Sequence, residues 1–317
     1  LGTTVLEASR TAGFPHAAVC GGRGRCTTCR VHIDATDADL PTAGELEARA
    51  LKRIQAPERV RLACQLRPLA NLSVTPLVPP TPLPHEALAR DRYRFGAERE
   101  IAVLFCDLRV FTSLSEHKLP YDVVYLLNQY AQFMGPAIAR EGGHLDKFIG
   151  DGIMALFGLS SDPRRGCRDA LAAARAMAAS LEQLNGQLGA DLAEPLKIGI
   201  GIHAGPAIIG HMGYRETASL TAIGDTVNIA SRLESATKEH GVQLIVSAAV
   251  ARHAGLPLQR FERRAISIRG AQVPLEVVLV RSARELPDPR AGAGPEGPPA
   301  PAALPPRVGP AGPAQHA

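Results

Sequence analysis

At 317 residues, with 45% hydrophobic and 21% charged content, the chain is long enough for two modest globular domains. A net charge of +4, with no lysine and arginine stripe interleaved with aromatics, argues against a nucleic-acid partner. No apolar run approaches a membrane span, short stretches such as IAVLF from 101 being the longest. The expectation is a soluble, cytoplasmic chain. Because it opens on Leu1 within what reads as a domain, a missing N-terminal region and a membrane tether within it stay open.

The first motif along the chain is CGGRGRCTTC, residues 20–29, which sets Cys20, Cys26 and Cys29 as C-x5-C-x2-C, with Cys64 following 35 positions later. Disulfides are one reading of an even set, although three thiols crowded in one glycine-rich loop are poorly placed to pair with a single distant fourth. Four thiolates closing a tetrahedral zinc site are a second. An iron–sulfur cluster is the third, since glycines at 21, 22 and 24 would let backbone N–H groups approach sulfur without a Cβ in the way. Next comes PLVPPTPLP, 76–84, with five prolines in nine positions, which forbids continuous helix and reads as a stiff linker.

Beyond the linker, EIAVLFCD (100–107) predicts a buried strand ending in an acid, and YDVVYLLNQYAQFMGPAIAREGG (121–143) a helix closed by glycines. HLDKFIGDGIMALFG predicts a hairpin with Gly-Asp-Gly at its turn, followed by an alanine-rich helix over 163–188. LKIGIGIHAGPAIIGHMG (196–213) leads to a helix over 224–240 and strands near 242–246, 263–268 and 273–280. This is an α+β pattern, a sheet with helices packed on it. From Pro287 onward, ten prolines in 31 residues predict a disordered tail.

Two carboxylates stand out. Asp107 ends the first strand and Asp151 sits on the hairpin turn; a strand-end cap and a turn residue are the plain readings, and a shared site for divalent cations contacting phosphate oxygens is the functional one. Asn228 and Arg232, four apart, share a helix face that could brace a ribose and a phosphoryl group or simply meet solvent. Cys106 and Cys167 read as small buried hydrophobes, and His144 carries no signal.

The segments CGGRGRCTTCRVHI and RLACQ resemble a β-grasp [2Fe-2S] ferredoxin with adrenodoxin-like cysteine spacing, over roughly 1–75 and lacking the family's first hairpin. The resemblance implies that Cys20, Cys26, Cys29 and Cys64 ligate a [2Fe-2S] cluster. FCDLRVFT, DKFIGDG, GIHAGP and TAIGDTVNIASRLE, taken together and in this order, resemble the class III nucleotidyl cyclase catalytic domain. The implied fold class is α+β, a truncated β-grasp ferredoxin followed by a ferredoxin-like α/β sandwich. The implied domains are 1–75 ferredoxin, 76–97 linker, 98–283 cyclase and 284–317 tail.

The cyclase resemblance implies a head-to-tail homodimer with active sites at its interface. Asp107 and Asp151, helped by the backbone at Leu108, would hold two Mg²⁺ or Mn²⁺ ions. Lys147 and Thr221 would read the purine, Asn228 and Arg232 would orient the ribose and stabilise the transition state, and Arg269 would meet the terminal phosphates. A lysine donor and a hydroxyl suit adenine, so the expected substrate is ATP and the expected product cyclic AMP. Val110 stands where the family has glycine, near the triphosphate; if that position needs positive φ, valine strains it and lowers activity. The cluster would regulate output, with an unknown redox partner. The competing expectations are an electron carrier or redox sensor with a catalytically weak cyclase-like domain, and a zinc-stabilised cyclase.

Overall fold

The computed structural model describes residues 2–78, 93, 96–109, 118–189, 192, 194–213, 218–268 and 273–288. In chain order its regular elements are α1 (Val5–Thr11), β1 (Arg30–Thr36), α2 (Glu45–Arg53), β2 (Val60–Leu62), β3 (Leu72–Pro76), β4 (Ala97–Leu108), α3 (Pro120–Arg140), β5 (His144–Ile149), β6 (Gly152–Phe157), α4 (Pro163–Leu188), β7 (Ile198–Met212), β8 (Ser219–Ile223), α5 (Asp225–His240), β9 (Leu244–Ser247), α6 (Ala248–Ala254), β10 (Glu262–Ile266) and β11 (Leu275–Val280). They fall into two compact units, Leu1–Arg99 with Pro206–Gly224, and Glu100–Gly205 with Asp225–Ala317. Of the expected linker, 76–97, residues 79–92, 94 and 95 lie outside the described residues, as do the expected tail from 289 onward, Val110 and Arg269.

In the first unit, β1 is the centre of an antiparallel sheet ordered β2-β1-β3. Alternation along β1 sends Val31 and Ile33 into a core shared with Val5, Leu6, Leu62, Leu66 and the cysteines Cys29 and Cys64. Thr4 starts α1 through a reciprocal capping box with Glu7. Helix α2 is tied down by one buried carboxylate: Glu47 accepts two bonds from the Arg61 guanidinium, at 2.9 and 2.8 Å, and a third from Leu62 N–H at 2.8 Å. The same unit holds the antiparallel pairing of β8 with the distal half of β7, where Gly210 faces Thr221.

The larger sheet runs β10-β11-β9-β7-β4-β6-β5, with β8 on β7. Residue parity shows that both its faces are covered. Ala102, Leu104, Cys106 and Leu108 of β4, Ile198, Ile200 and Ile202 of β7, Leu244 and Val246 of β9, and Val278 and Val280 of β11 enter one core with α3, α4 and α6. The alternate residues Ile245, Val277 and Leu279 enter a second core with Leu233 of α5. In the first half of β7, up to Gly205, the odd positions are Gly199, Gly201, His203 and Gly205, so α5 lies on a strip almost without side chains. A Cβ at Gly201 would strike the backbone of Ala230 and Glu234, and one at Gly199 would strike the Arg109 guanidinium and the Thr237 hydroxyl. The glycine strip therefore sets both the depth of α5 and the space that Arg109 fills.

Candidate active site and cluster loop

Asp107 is an odd-numbered residue of β4, so it projects to the α5 side of the sheet. The β5–β6 hairpin brings Asp151 to it, because Cys106 pairs with Ile153 and the turn at 150–151 then falls beside the end of β4. The two carboxyl groups come within hydrogen-bonding reach of each other, and the Asp107 pKa rises to about 6 through desolvation first, then the charges of Asp151 and Glu234. Paired half-buried acids are costly alone and are the donor set that hard divalent cations require. The backbone of Leu108, buried at the strand end, adjoins them.

Two residues that sequence reasoning passed over complete this corner. Arg109 follows the strand end, and its guanidinium pairs with Glu234 at 3.1 Å while donating to the Glu234 carbonyl at 3.2 Å. Arg109 N–H also bonds the Lys197 carbonyl at 2.7 Å. Desolvation raises the Glu234 pKa despite the opposing charge of Arg109. Glu234 belongs to the buried side of α5, whereas Asn228 is exposed and Arg232 half-buried, and neither of these two side chains makes a hydrogen bond or ion pair among the described residues. One helix thus carries an inward acid toward the carboxylate corner and an outward amide and guanidinium. Sequence alone does not set Glu234 apart from the other polar residues of α5, because its burial comes from the close approach of the helix to the glycines of β7.

Lys147 lies on β5, where a bulge between Leu145 and Lys147 breaks the alternation of side chains. Its ammonium consequently reaches the carboxylate of its neighbour Asp146 at 3.2 Å. Thr221 is buried on β8 in the first unit. Cys106 is buried against the Tyr130 hydroxyl at 3.3 Å, and desolvation pushes its thiol up to about 12, the behaviour of a packed hydrophobe.

His203 is buried on the α5 side, its Nδ1 has no hydrogen-bond partner among the described residues, and desolvation lowers its pKa from 6.5 to about 4. The native state keeps the imidazole neutral, whereas the unfolded chain binds a proton below about pH 6.5, so this stabilisation is complete above that pH and falls as pH drops toward 4. Between pH 7 and pH 5 this group alone should remove about 2 kcal/mol. Urea unfolding should show a steeper fall in stability for wild type than for His203→Gln; equal slopes would contradict the assignment.

In the first unit, the four cysteines are free and form two pairs. Cys20 is drawn down to about 4, chiefly by the Cys26 thiol and then by the N–H groups of Arg25, Arg23 and Gly22. Cys64 is drawn to about 6, chiefly by the Cys29 thiol, with further help from Gln65 and the Gly24 N–H. The loop can aim these amides because Gly22 and Gly24 adopt φ of 91° and 68°. Thr28 Oγ1 lies 3.1 Å from Cys26 Sγ. Among the described residues no three His, Cys, Asp or Glu side chains converge to hold one ion. Two thiol pairs ringed by N–H donors fit a two-iron cluster, with two thiolates for each iron, better than one tetrahedral ion.

Comparison with known proteins identifies two domains in the chain. The model of the 2Fe-2S iron-sulfur cluster binding domain matches residues 1–69, and that of the adenylate and guanylate cyclase catalytic domain matches 95–280. An adenylate cyclase of Anabaena cylindrica is 36% identical over 194 residues, covering 59% of this chain and 38% of that protein. Adenylate cyclase 1 of Rhizobium meliloti (strain 1021) is 34% identical over 157 residues, covering 50% and 24%. The chain thus spans less than half the length of these curated relatives. Among solved structures, the guanylyl cyclase Cya2 is similar at 32% identity and TM-score 0.53, covering 58% of this chain and 93% of that one. The adenylyl cyclase CyaB from P. aeruginosa is similar at 30% identity and TM-score 0.53, covering 61% and 99%. No helix among the described residues is long and apolar enough to cross a membrane. Through residues 95–280, which form more than half of its length, the chain belongs to the adenylate and guanylate cyclase catalytic domain family, and it carries a 2Fe-2S domain ahead of that region.

Proposed function

We propose that the chain is an adenylate cyclase, converting ATP to 3′,5′-cyclic AMP and pyrophosphate as a homodimer, with its [2Fe-2S] domain regulating output. The domain division at 75, 97 and 283 goes with this reading. The observation that carries it is the meeting of Asp107 and Asp151, two half-buried carboxylates that need positive charge beside them. Asp107, Asp151 and the backbone of Leu108 would hold two Mg²⁺ or Mn²⁺ ions, whose charge would stabilise the triphosphate during in-line attack of the 3′-OH on the α-phosphorus.

The remaining roles fall to side chains of this chain. Arg232 stabilises charge on the phosphoryl group and Asn228 orients the ribose. Lys147 donates to adenine N1, with Asp146 beside it fixing where the ammonium rests, and Thr221 supplies the hydroxyl. This pair favours ATP over GTP, the choice that similarity to both adenylyl and guanylyl cyclases leaves to the residues themselves. Arg269 would meet the terminal phosphates. Support for the homodimer comes from the outward setting of Asn228 and Arg232 and from the exposed apolar tip Phe148 and Ile149, next to the Asp151 turn.

Mixing Asp107→Ala protein with Arg232→Ala protein tests the shared interface. Each variant alone should be nearly inactive, and mixed dimers should regain about a quarter to a half of wild-type activity, since one of their two sites is intact. Absence of rescue in demonstrated mixed dimers would count against this arrangement. For cluster control, cyclase rates of reduced, oxidised and cluster-free protein should differ severalfold; three equal rates would remove regulation from the account.

A further inference from the structure

The face of the larger sheet opposite Asp107 carries a cavity of about 540 Å³ that the cyclase reaction does not use. It is lined by Arg164, Arg168, Arg252, His253, Ala254 and Gly255. Arg164 and Arg168 are one turn apart at the start of α4, and Arg252 and His253 end α6, so two helices contribute cations to one concavity. None of the three guanidinium groups makes a hydrogen bond or ion pair among the described residues.

Fold stability does not explain this arrangement. Arg252 and His253 suit the negative end of α6, but Arg164, Arg165 and Arg168 crowd the positive end of α4, whose first turn has no acid. Arg165 turns aside toward Asp169, 3.8 Å away. Two carboxylates adjoin the cavity: Asp162 caps α4 by accepting from the N–H groups of Arg164 and Arg165 and feels the charge of Arg168, while Glu100 bonds His253 at 3.1 Å. Both are already engaged, so the three guanidiniums are left facing the space.

We infer that this cavity binds a small phosphorylated metabolite, its phosphate groups seated by Arg164, Arg168 and Arg252. Three guanidinium groups offer more N–H donors than one carboxylate can accept, whereas a phosphate group brings three oxygens and up to two charges. The volume lies in the range of small-molecule sites, about 300–1,000 Å³. The lining has no aromatic wall to stack a base, so recognition centres on the phosphates.

The site does not depend on the cyclase reading, and its test uses the whole 317-residue chain in EDTA so that divalent cations do not hold the probe elsewhere. Calorimetric titration with inorganic pyrophosphate should give saturable one-to-one binding. Affinity should fall about tenfold or more in an Arg168→Ala/Arg252→Ala double variant and stay unchanged in Asp107→Ala. Arg168→Lys, which keeps the charge and loses the fork, should fall between wild type and the double variant. Unchanged circular dichroism and melting of the variants separate lost binding from lost folding, and Arg252→Ala alone, at an exposed position, gives a second reading if the double variant unfolds. No saturable binding, equal binding in wild type and arginine variants, or binding of a polyglutamate peptide in place of pyrophosphate would overturn the proposal.

Discussion

Replacing Glu234 by alanine should destabilise the catalytic domain by about 3–5 kcal/mol, because it strands the Arg109 guanidinium in a buried position. The side chains are only 17% and 10% exposed, which makes solvent screening weak. Arg109→Ala should cost a similar amount for the converse reason, leaving Glu234 without its counter-charge close to Asp107 and Asp151. A double Arg109→Met/Glu234→Leu variant should recover much of the loss in stability, since well-packed apolar pairs often replace buried ion pairs at no cost. Activity should not return with it. Arg109 directly follows the Leu108 strand end, and Glu234 lies on the helix that bears Asn228 and Arg232, so the pair fixes the carboxylate corner against that helix. Urea unfolding and cyclase assays on the four proteins test this; recovery of both stability and activity would reduce the pair to packing.

The second large effect concerns the carboxylates. Asp107→Asn keeps side-chain volume and removes the charge, so the fold should hold and even gain a little, as Asp107 is destabilised by its neighbours in the absence of a cation. Cyclase activity should fall about a thousandfold, equivalent to about 4 kcal/mol of lost transition-state stabilisation. Asp151→Asn should behave likewise, and the double variant should lose little more than either single one, because both residues serve one function. Additive losses would mean that the two acids act separately.

Much of this was legible in the order of residues. GDG between two apolar runs announced the hairpin, and the acid closing EIAVLFCD fell beside its turn, so the meeting of Asp107 and Asp151 followed from pairing geometry. Helix α4 begins at Pro163 after the Asp162 cap and runs to Leu188, as its alanine-rich pattern predicts. The three-residue strand β2 was not legible, since its residues take their conformation from pairing with β1 rather than from local preference. Nor was the Lys147–Asp146 contact, which depends on a bulge that sequence alternation does not reveal. Glu234 looked like one acid among the polar residues of α5. Its importance depends on the glycines of β7, which pull the helix close enough to bury it and leave room for Arg109, a tertiary consequence of residues some 30 positions away. For the thiols, spacing allowed three chemistries, and the positive φ of Gly22 and Gly24, with amides turned toward sulfur, favours the cluster.

The central claim is tested most directly by assaying cyclic AMP and cyclic GMP formation from ATP and GTP, with Mg²⁺ or Mn²⁺, on anaerobically purified protein whose visible spectrum has been recorded. The account predicts coloured protein that makes cyclic AMP from ATP in strong preference to cyclic GMP from GTP. Protein that binds ATP yet forms no cyclic nucleotide with either metal, or that prefers GTP, would contradict it.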